Sequence, residues 1–394
     1  MGVWYLHFSQ ERNIINPYQK SEANMASSVY FIDFRSRGKS ILEKLEKLIL
    51  KAGLEEIPME KKFVAIKVHF GEPGNVAYIR PNYTRRVVEV VKRLGGLPFL
   101  TDCNTLYKGR RSNAVDHLRS AHENGFTPET VGCDIIIADG LRGTDYREIE
   151  VNLRHVKKAK IGTAIAEADV FISINHFKGH EMTGFGGALK NIGMGCGAVP
   201  GKLEMHSNSK PKVKEEKCIG CKACEVNCNY GAIKVGPNRK AVINYDLCVG
   251  CGQCVAVCRY DAAQVVWNEG GNSAWEKIDE YTFAVLKDKP HFHINFLMDI
   301  SPDCDCWSSH DAPIVPDIGI LASRDPVALD QASADLVNQA PVLGGCKITD
   351  NHPHYDPASD RFFLIHPHTN WREGLAYAEA IGLGTRQYDL IRLE

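Results

Sequence analysis

A duplicated cysteine pattern between positions 218 and 258 limits the structure of this segment more than any other feature of the chain. The run KCIGCKACEVNCNYGAI is followed thirty residues later by LCVGCGQCVAVCRYDAA. Each half has the spacing C-x2-C-x2-C-x3-C, and its cysteines are Cys218, Cys221, Cys224 and Cys228 in the first half and Cys248, Cys251, Cys254 and Cys258 in the second. Eight thiols in this arrangement indicate two metal–sulfur centres.

The spacing also predicts which thiols share a centre. Three thiolates at every third position of a loop can reach three irons of one [4Fe–4S] cube, and the fourth cysteine of each run ligates the other cube. We therefore expect Cys218, Cys221, Cys224 and Cys258 to hold one cluster, and Cys248, Cys251, Cys254 and Cys228 to hold the second. Zinc sites built from C-x2-C pairs are the alternative, but they leave the third and fourth cysteines of each half without a role.

Residues 212–267 resemble the bacterial-type two-cluster ferredoxins. The resemblance implies two [4Fe–4S] clusters and a function in electron transfer. That family usually has proline after the fourth cysteine, whereas Asn229 and Arg259 stand here. Because polarity and charge near the sulfurs tune a cluster, we expect reduction potentials that differ from those of the family.

The composition restricts partners and compartment. The chain has 394 residues with 47 basic and 48 acidic side chains, a balance that argues against nucleic acid or an anionic membrane as a partner. No apolar run reaches the ~18 residues of a membrane-spanning helix, and the N-terminus lacks the apolar core of a secretory signal. Fourteen cysteines without an export signal predict reduced, metal-binding thiols and a cytoplasmic location.

Outside the cysteine segment, short apolar runs alternate with helical patterns. We predict strands at 29–34, 63–68, 97–101, 134–138, 169–174, 292–297 and 314–321, and helices at 40–52, 84–94, 326–339 and 371–380. This alternation predicts an α/β fold with a mostly parallel sheet covered by helices. The predicted organisation is a flexible extension (1–24), an α/β domain in two parts (25–211 and 268–394), and an inserted two-cluster ferredoxin-like domain (212–267).

Polar and ligating side chains follow five of the predicted strands. These segments begin with His69, Asp102, Asp139, Asn175 and Asp299. In a parallel sheet the carboxyl ends of the strands meet at one edge, where ligands bind. The sequence therefore predicts a functional crevice at that edge.

Four further segments carry a second resemblance. KVHFGEPGN, NHFKGHEMTGFGGALKNIGMGC, SPDCDCW and PDIGILASRDPVALD resemble the uncharacterised iron–sulfur centre proteins, in which an α/β domain of unknown function carries a ferredoxin pair. The resemblance covers nearly all of residues 25–394. It implies that a set of side chains belongs to shared machinery, namely His176, Lys178, His180, Lys190, Cys196, Cys304 and Cys306.

The thiols outside the repeat leave two readings open. Cys304 and Cys306, together with Cys103, Cys196 or the histidine pair, could bind a third metal or cluster or form a redox dithiol, and unliganded thiols are the alternative. The leading functional hypothesis is an oxidoreductase whose clusters feed electrons to a reaction site in the crevice. The expected partner is a redox partner protein or a small-molecule substrate. In this hypothesis, His176 or His180 donates a proton or binds metal, and Lys178 and Lys190 hold an anionic group. The second hypothesis is an electron carrier or a cluster- or metal-delivery protein.

Overall fold

A computed structural model of the protein describes residues 26–106, 109–206, 210–228, 230–248, 253–260, 262–264 and 271–394. Its centre is an eight-stranded sheet with the strand order β16-β1-β15-β14-β7-β2-β3-β4. The strands of this sheet are β1 (Ser27–Asp33), β2 (Phe63–Val68), β3 (Leu97–Asp102), β4 (Ile135–Ile137), β7 (Val170–His176), β14 (His291–Leu297), β15 (Gly319–Ser323) and β16 (Tyr388–Arg392). β15 runs antiparallel to both of its neighbours, and the other neighbouring pairs are parallel.

Helices cover both faces of this sheet. The helices of the described residues are α1 (Ile41–Lys51), α2 (Pro81–Arg93), α3 (Ala114–Glu123), α4 (Pro128–Val131), α5 (Thr163–Glu167), α6 (Ala188–Cys196), α7 (Val199–His206), α8 (Ala223–Val226), α9 (Gln253–Val257), α10 (Gly271–Leu286), α11 (Pro326–Gln339), α12 (Lys347–Asn351), α13 (Arg361–Ile365) and α14 (Trp371–Ala380). Of these, α8 and α9 lie in the cysteine segment and not on the central sheet. Side chains alternate across β2, so that Val64 and Ile66 face one apolar cluster while Ala65 faces the other. The buried sheet therefore separates two hydrophobic layers, as expected for an α/β fold.

Local sequence signals explain where the longest predicted helices begin. Ser40 accepts a hydrogen bond from the amide of Glu43 and Glu43 returns one to the amide of Ser40, a capping box that starts α1. Asp325 caps α11, and Pro326 lies in the first turn of this helix. The backbone N–H that proline lacks would have no partner within the helix at that position. These signals place both helix starts at the predicted positions.

The cysteine segment has its own small sheets. β10 (Lys212–Val213) pairs with β13 (Ala263–Gln264), and β11 (Ile233–Val235) pairs with β12 (Ala241–Ile243), all antiparallel. Two further antiparallel pairs lie outside it: β5 (Tyr146–Glu150) with β6 (Lys158–Gly162), and β8 (Lys178–His180) with β9 (Gly184–Gly186). Strands from before and after the cysteine segment thus join one central sheet, while strands within it pair with each other.

The mostly parallel sheet and its helices confirm the predicted α/β class. The predicted extent of the strand at 314–321 was wrong, because β15 begins only at Gly319. Ile314 and Val315 are fully buried in the preceding loop, so their apolar character reflects burial without strand pairing. The predicted extension 1–24 and the boundary after residue 264 fall outside the described residues. In the described part of the chain, none of the helices has both the length and the apolar character to cross a membrane.

Candidate functional site

The carboxyl ends of β2, β3, β4, β7 and β14 meet at one edge of the sheet, since these strands are mutually parallel. The first part of this edge lies where β7 continues into β8. His176, Lys178 and His180 are two residues apart in extended chain, so their side chains share one face. All three are buried. They face the loop after β14, which carries Cys304, Asp305 and Cys306.

Asp305 is the anchor of that loop. His176 Nδ1 lies 2.9 Å from each of its carboxylate oxygens, Lys178 Nζ lies 3.5 Å from Oδ2, and its carbonyl accepts a hydrogen bond from the Glu72 amide. Burial raises the pKa of Asp305, but the charges of His176 and Lys178 outweigh burial and hold this pKa below its ordinary value.

His176 is enclosed by oxygen acceptors on both sides of its ring. Nδ1 faces Asp305, and Nε2 lies 2.9 Å from the Met298 carbonyl oxygen. His176 therefore positions Asp305 in this structure, and the role of proton donor or metal ligand expected for His176 stays a prediction.

Cys304 and Cys306 lie next to each other at the end of this loop. The Cys304 side chain is buried, and Lys190 Nζ is 3.5 Å from Cys304 Sγ. The Cys306 hydrogen bond, with Lys190 and His180, holds the pKa of the Cys304 thiol well below its ordinary value, against the effect of burial. His180 Nδ1 accepts a hydrogen bond from the Met182 amide. We call Cys304, Cys306, Lys190 and His180 the thiol site.

Lys190 owes its position to the start of α6. The Asp330 carboxylate accepts hydrogen bonds from the amides of Ala188 and Leu189 at 2.7 and 3.0 Å, which fixes the first turn of the helix. A Cβ at Gly187 would lie 2.3 Å from Asp330 Oδ1, so only glycine allows this approach. The glycine-rich run that precedes Lys190 therefore serves close packing in this structure.

A second polar group lies below the ends of β2 and β3. Lys67, fully buried, is 3.1 Å from Asp102 and donates to Asn191 Oδ1 at 2.7 Å. Asn191 lies one residue after Lys190 on α6, and a Cβ at Gly195 would lie 2.5 Å from Lys67 Cε. The Lys67–Asp102 pair thus holds α6, and with it the thiol site, against the sheet.

Cys103 and Cys196 belong to this second region and not to the thiol site. Cys103 Sγ donates to the Cys196 carbonyl at 3.3 Å, and both side chains lie in the apolar core. Burial raises the pKa of Cys196 to about 12 and that of Cys103 well above its ordinary value, so both remain protonated. Cys103 and Cys196 thus lie apart from the loop of Cys304 and Cys306, and a metal role for these thiols stays a prediction. Within the described ranges, histidine, cysteine and acidic side chains form no group of three or more that could hold a metal ion.

In the cysteine segment, thiols from both halves of the repeat line one pocket. Its cysteines are Cys218, Cys221, Cys224 and Cys258. Apolar side chains such as Val213 and Ala241 form much of the remaining wall. The fourth cysteine of the second half thus lies with the first three of the first half.

Backbone amides reach the sulfurs with the same thirty-residue symmetry. The Ala232 amide donates to Cys228 Sγ at 3.2 Å, and the Ala262 amide donates to Cys258 Sγ at 3.3 Å. Such N–H···S bonds stabilise negative charge on sulfur and tune iron–sulfur centres. Gly220 has φ +71°, and a Cβ there would lie 2.5 Å from the Arg239 carbonyl oxygen, so the first loop requires glycine.

Thiols of the second predicted set lie in the same small core. Cys228, Cys248 and Cys254 pack against an apolar cluster that includes Ile233 and Ile243. Cys251, the remaining member of this set, lies outside the described residues.

The cysteine segment contacts the α/β domain through α9 and α7. Val255 of α9 packs against Val199 and Leu203 of α7. α7 ends at His206, whose pKa is lowered to about 3 by burial and by the nearby charges of Lys190 and His180. One helix therefore connects the chain beside Cys254 to the surroundings of the thiol site.

Sequence reasoning overlooked several of these residues. Lys67 sits within the apolar run FVAIKV, and a lysine inside a buried strand signals a paired internal charge. Asp330 lies inside a predicted helix, and His206 lies in the polar stretch before the cysteine segment. Neither carried a local signal of its role.

The position of these groups in the chain can be compared with known proteins. Residues 64–335, more than half of the chain, match the family model described as "Domain of unknown function (DUF362)". The chain belongs to the DUF362 family. The match runs from β2 into α11, so the DUF362 region contains the thiol site, the Lys67–Asp102 pair and the cysteine segment.

A curated relative shares part of this DUF362 chain. The "Thylakoid-associated protein sll1697" of Synechocystis sp. is 29% identical over 132 residues, which are 34% of this chain and 36% of the relative. The chain therefore spans about a third of the length of the curated relative that it matches.

Two solved structures are distantly similar. The lactate racemase apoprotein of Thermoanaerobacterium thermosaccharolyticum is 13% identical, with a TM-score of 0.36 over 68% of this chain and 51% of the other. A Thermotoga maritima protein is 12% identical, with a TM-score of 0.36 over 76% and 58%. At this TM-score neither similarity identifies the fold.

Proposed function

We propose that this DUF362 protein is an iron–sulfur oxidoreductase in which two [4Fe–4S] clusters exchange electrons with the thiol site. One observation carries the proposal: Cys258 lies with Cys218, Cys221 and Cys224 around one pocket. This grouping across the repeat is the one that ligand crossing requires in two-cluster ferredoxins. A pair of zinc sites built from adjacent C-x2-C motifs would not require it.

The residues present suit such a group. The pocket is lined mainly by apolar atoms and thiols, and backbone amides donate to Cys218 Sγ and Cys258 Sγ at 3.3 Å. Cys218, Cys221, Cys224 and Cys258 would hold one cluster, and Cys228, Cys248, Cys251 and Cys254 the other. When bound, such clusters supply single electrons at low potential.

The thiol site of the α/β domain is the proposed destination of those electrons. The contact of Val255 with α7 places the second half of the repeat on the helix that leads to His206, beside Lys190 and His180. Lys190 and His180 stabilise negative charge on Cys304, which a simple electron carrier would not need. The electrons would come from, or pass to, a redox partner protein or a small-molecule substrate.

A reductive titration tests this function. Protein purified without oxygen should lose visible absorption as about two electrons per chain are added, one for each cluster. The reduced protein should show the electron paramagnetic resonance signal of two interacting spins. The Cys346→Ser variant is the matched control, because Cys346 is buried outside both groups of thiols. Absorption that does not respond to a low-potential reductant would contradict the proposal.

A further inference from the structure

The loop after β14 presents its two thiols in a fixed turn. The Trp307 amide donates to the Cys304 carbonyl at 3.2 Å, so residues 304–307 form a β-turn with Asp305 and Cys306 at its centre. A disulfide needs Cα atoms about 4.4–6.8 Å apart, a separation that residues i and i+2 reach where the chain bends. The turn brings Cys304 and Cys306 close in the chain, and Lys190 Nζ lies 3.5 Å from Cys304 Sγ.

The surroundings of the turn keep this arrangement in place. Asp305, between the two cysteines, is held through its side chain by His176 and through its carbonyl by the Glu72 amide. The thiols can therefore approach each other through side-chain rotation while the backbone stays anchored.

The two thiols differ in exposure and in charge. Cys304 is 1% exposed and is 3.5 Å from the Lys190 ammonium, whereas Cys306 is only partly buried and precedes an exposed tryptophan, Trp307. In a dithiol pair, one sulfur must be stabilised as the leaving thiolate while the other is accessible to a partner. Cys304 has the first property and Cys306 the second.

We propose that Cys304 and Cys306 form a redox-active dithiol, in which the S–S bond breaks on uptake of two electrons and one proton to give the Cys304 thiolate and the Cys306 thiol. Re-formation of the bond releases the same two electrons and one proton to an acceptor. The inference deepens the function proposed above, because two one-electron clusters match one two-electron dithiol. The dithiol itself can nevertheless be tested without the clusters.

Glutathione buffers of stepped reduced-to-oxidised ratio test the dithiol on the full-length protein. After acid quenching, alkylation and tryptic digestion, Cys304 and Cys306 are read from the peptide between Lys287 and Arg324, which contains no other cysteine. We expect one two-electron transition between a doubly alkylated peptide and an unalkylated peptide lighter by two hydrogens. Cys346→Ser should keep this transition, and Cys304→Ser and Cys306→Ser should abolish it.

Lys190→Met provides a measurement that retains both thiols. Loss of the ammonium should slow alkylation of Cys304 in the folded, reduced protein at pH 7 about tenfold, since an adjacent opposite charge shifts a pKa by about one to three units. Lys39→Met, which removes an exposed lysine, should leave the rate unchanged. An equal rate in the Lys190 variant would contradict the assigned role of Lys190 in the dithiol.

Two results would overturn the dithiol proposal. One is full alkylation of both cysteines at every glutathione ratio. The other is stoichiometric release of a metal ion from Cys304 and Cys306 when the full-length protein is oxidised. The Cys258→Ser variant separates the two proposals. Both are supported if the dithiol transition persists in glutathione while reduced methyl viologen no longer reduces the dithiol. A transition in protein that has no iron supports the dithiol and counts only against the clusters.

Discussion

Replacing Cys258 with serine is expected to reduce the iron content from about eight to about four atoms per chain. Cys258 lies in the second half of the repeat, but its thiol lines the pocket of Cys218, Cys221 and Cys224. The lost cluster should therefore be the one held by the first half. Iron and acid-labile sulfide, measured on anaerobic protein, report this loss, and Cys346→Ser should retain the full amount.

Double variants identify which cluster is lost. Adding Cys221→Ser to Cys258→Ser should cause little further loss, because both thiols serve one pocket, whereas adding Cys248→Ser should remove nearly all the remaining iron. The assignment would be wrong if the Cys258/Cys221 combination lost all its iron while the Cys258/Cys248 combination kept half.

Replacing Lys67 with methionine should cost about 3–5 kcal/mol of unfolding free energy, because it leaves the Asp102 carboxylate buried without its cation. Lys67 is fully buried, 3.1 Å from Asp102, and its ammonium also bonds to Asn191. Urea unfolding followed by circular dichroism measures the loss. The same variant should loosen α6, which carries Lys190. Because Lys190 then lies less firmly beside Cys304, alkylation at the thiol site should slow.

Arg85→Met is the control for the Lys67 variant, because it breaks an ion pair with Glu89 in which the side chains are 50% and 38% exposed. Solvent screening limits such a pair to about 1 kcal/mol or less. Comparable losses in the two variants would show that the Lys67–Asp102 pair does not act as a buried one.

The sequence allowed much of the α/β fold to be predicted, because its strands are short apolar runs with clear helix caps between them. β2 matches its predicted range, and α11 and α14 match theirs. The antiparallel direction of β15 was not evident, because strand direction depends on the path of the connecting chain and not on local periodicity. The loop at Ile314 shows the same limit, since burial alone makes a loop apolar.

The site was predicted only in part. Strand ends and the family resemblance led us to expect His176, Lys178 and His180 in one crevice, and the structure brings these three residues to the loop of Cys304 and Asp305. The sequence could not separate Cys103 and Cys196 from that loop, because a thiol after a strand can point into the crevice or into the core. Their packing in the apolar core decides this. Spacing predicted the assignment of the eight cysteines, and in the structure Cys258 lines one pocket with Cys218, Cys221 and Cys224.

The most direct test of the iron–sulfur proposal is a metal and sulfide count on wild-type protein purified without oxygen. Two cubane clusters require about eight iron atoms and eight acid-labile sulfides per chain, with little zinc. Because a zinc site uses thiolates without inorganic sulfide, the sulfide value separates the two chemistries. About eight of each would support the account, and stoichiometric zinc with no sulfide would contradict it.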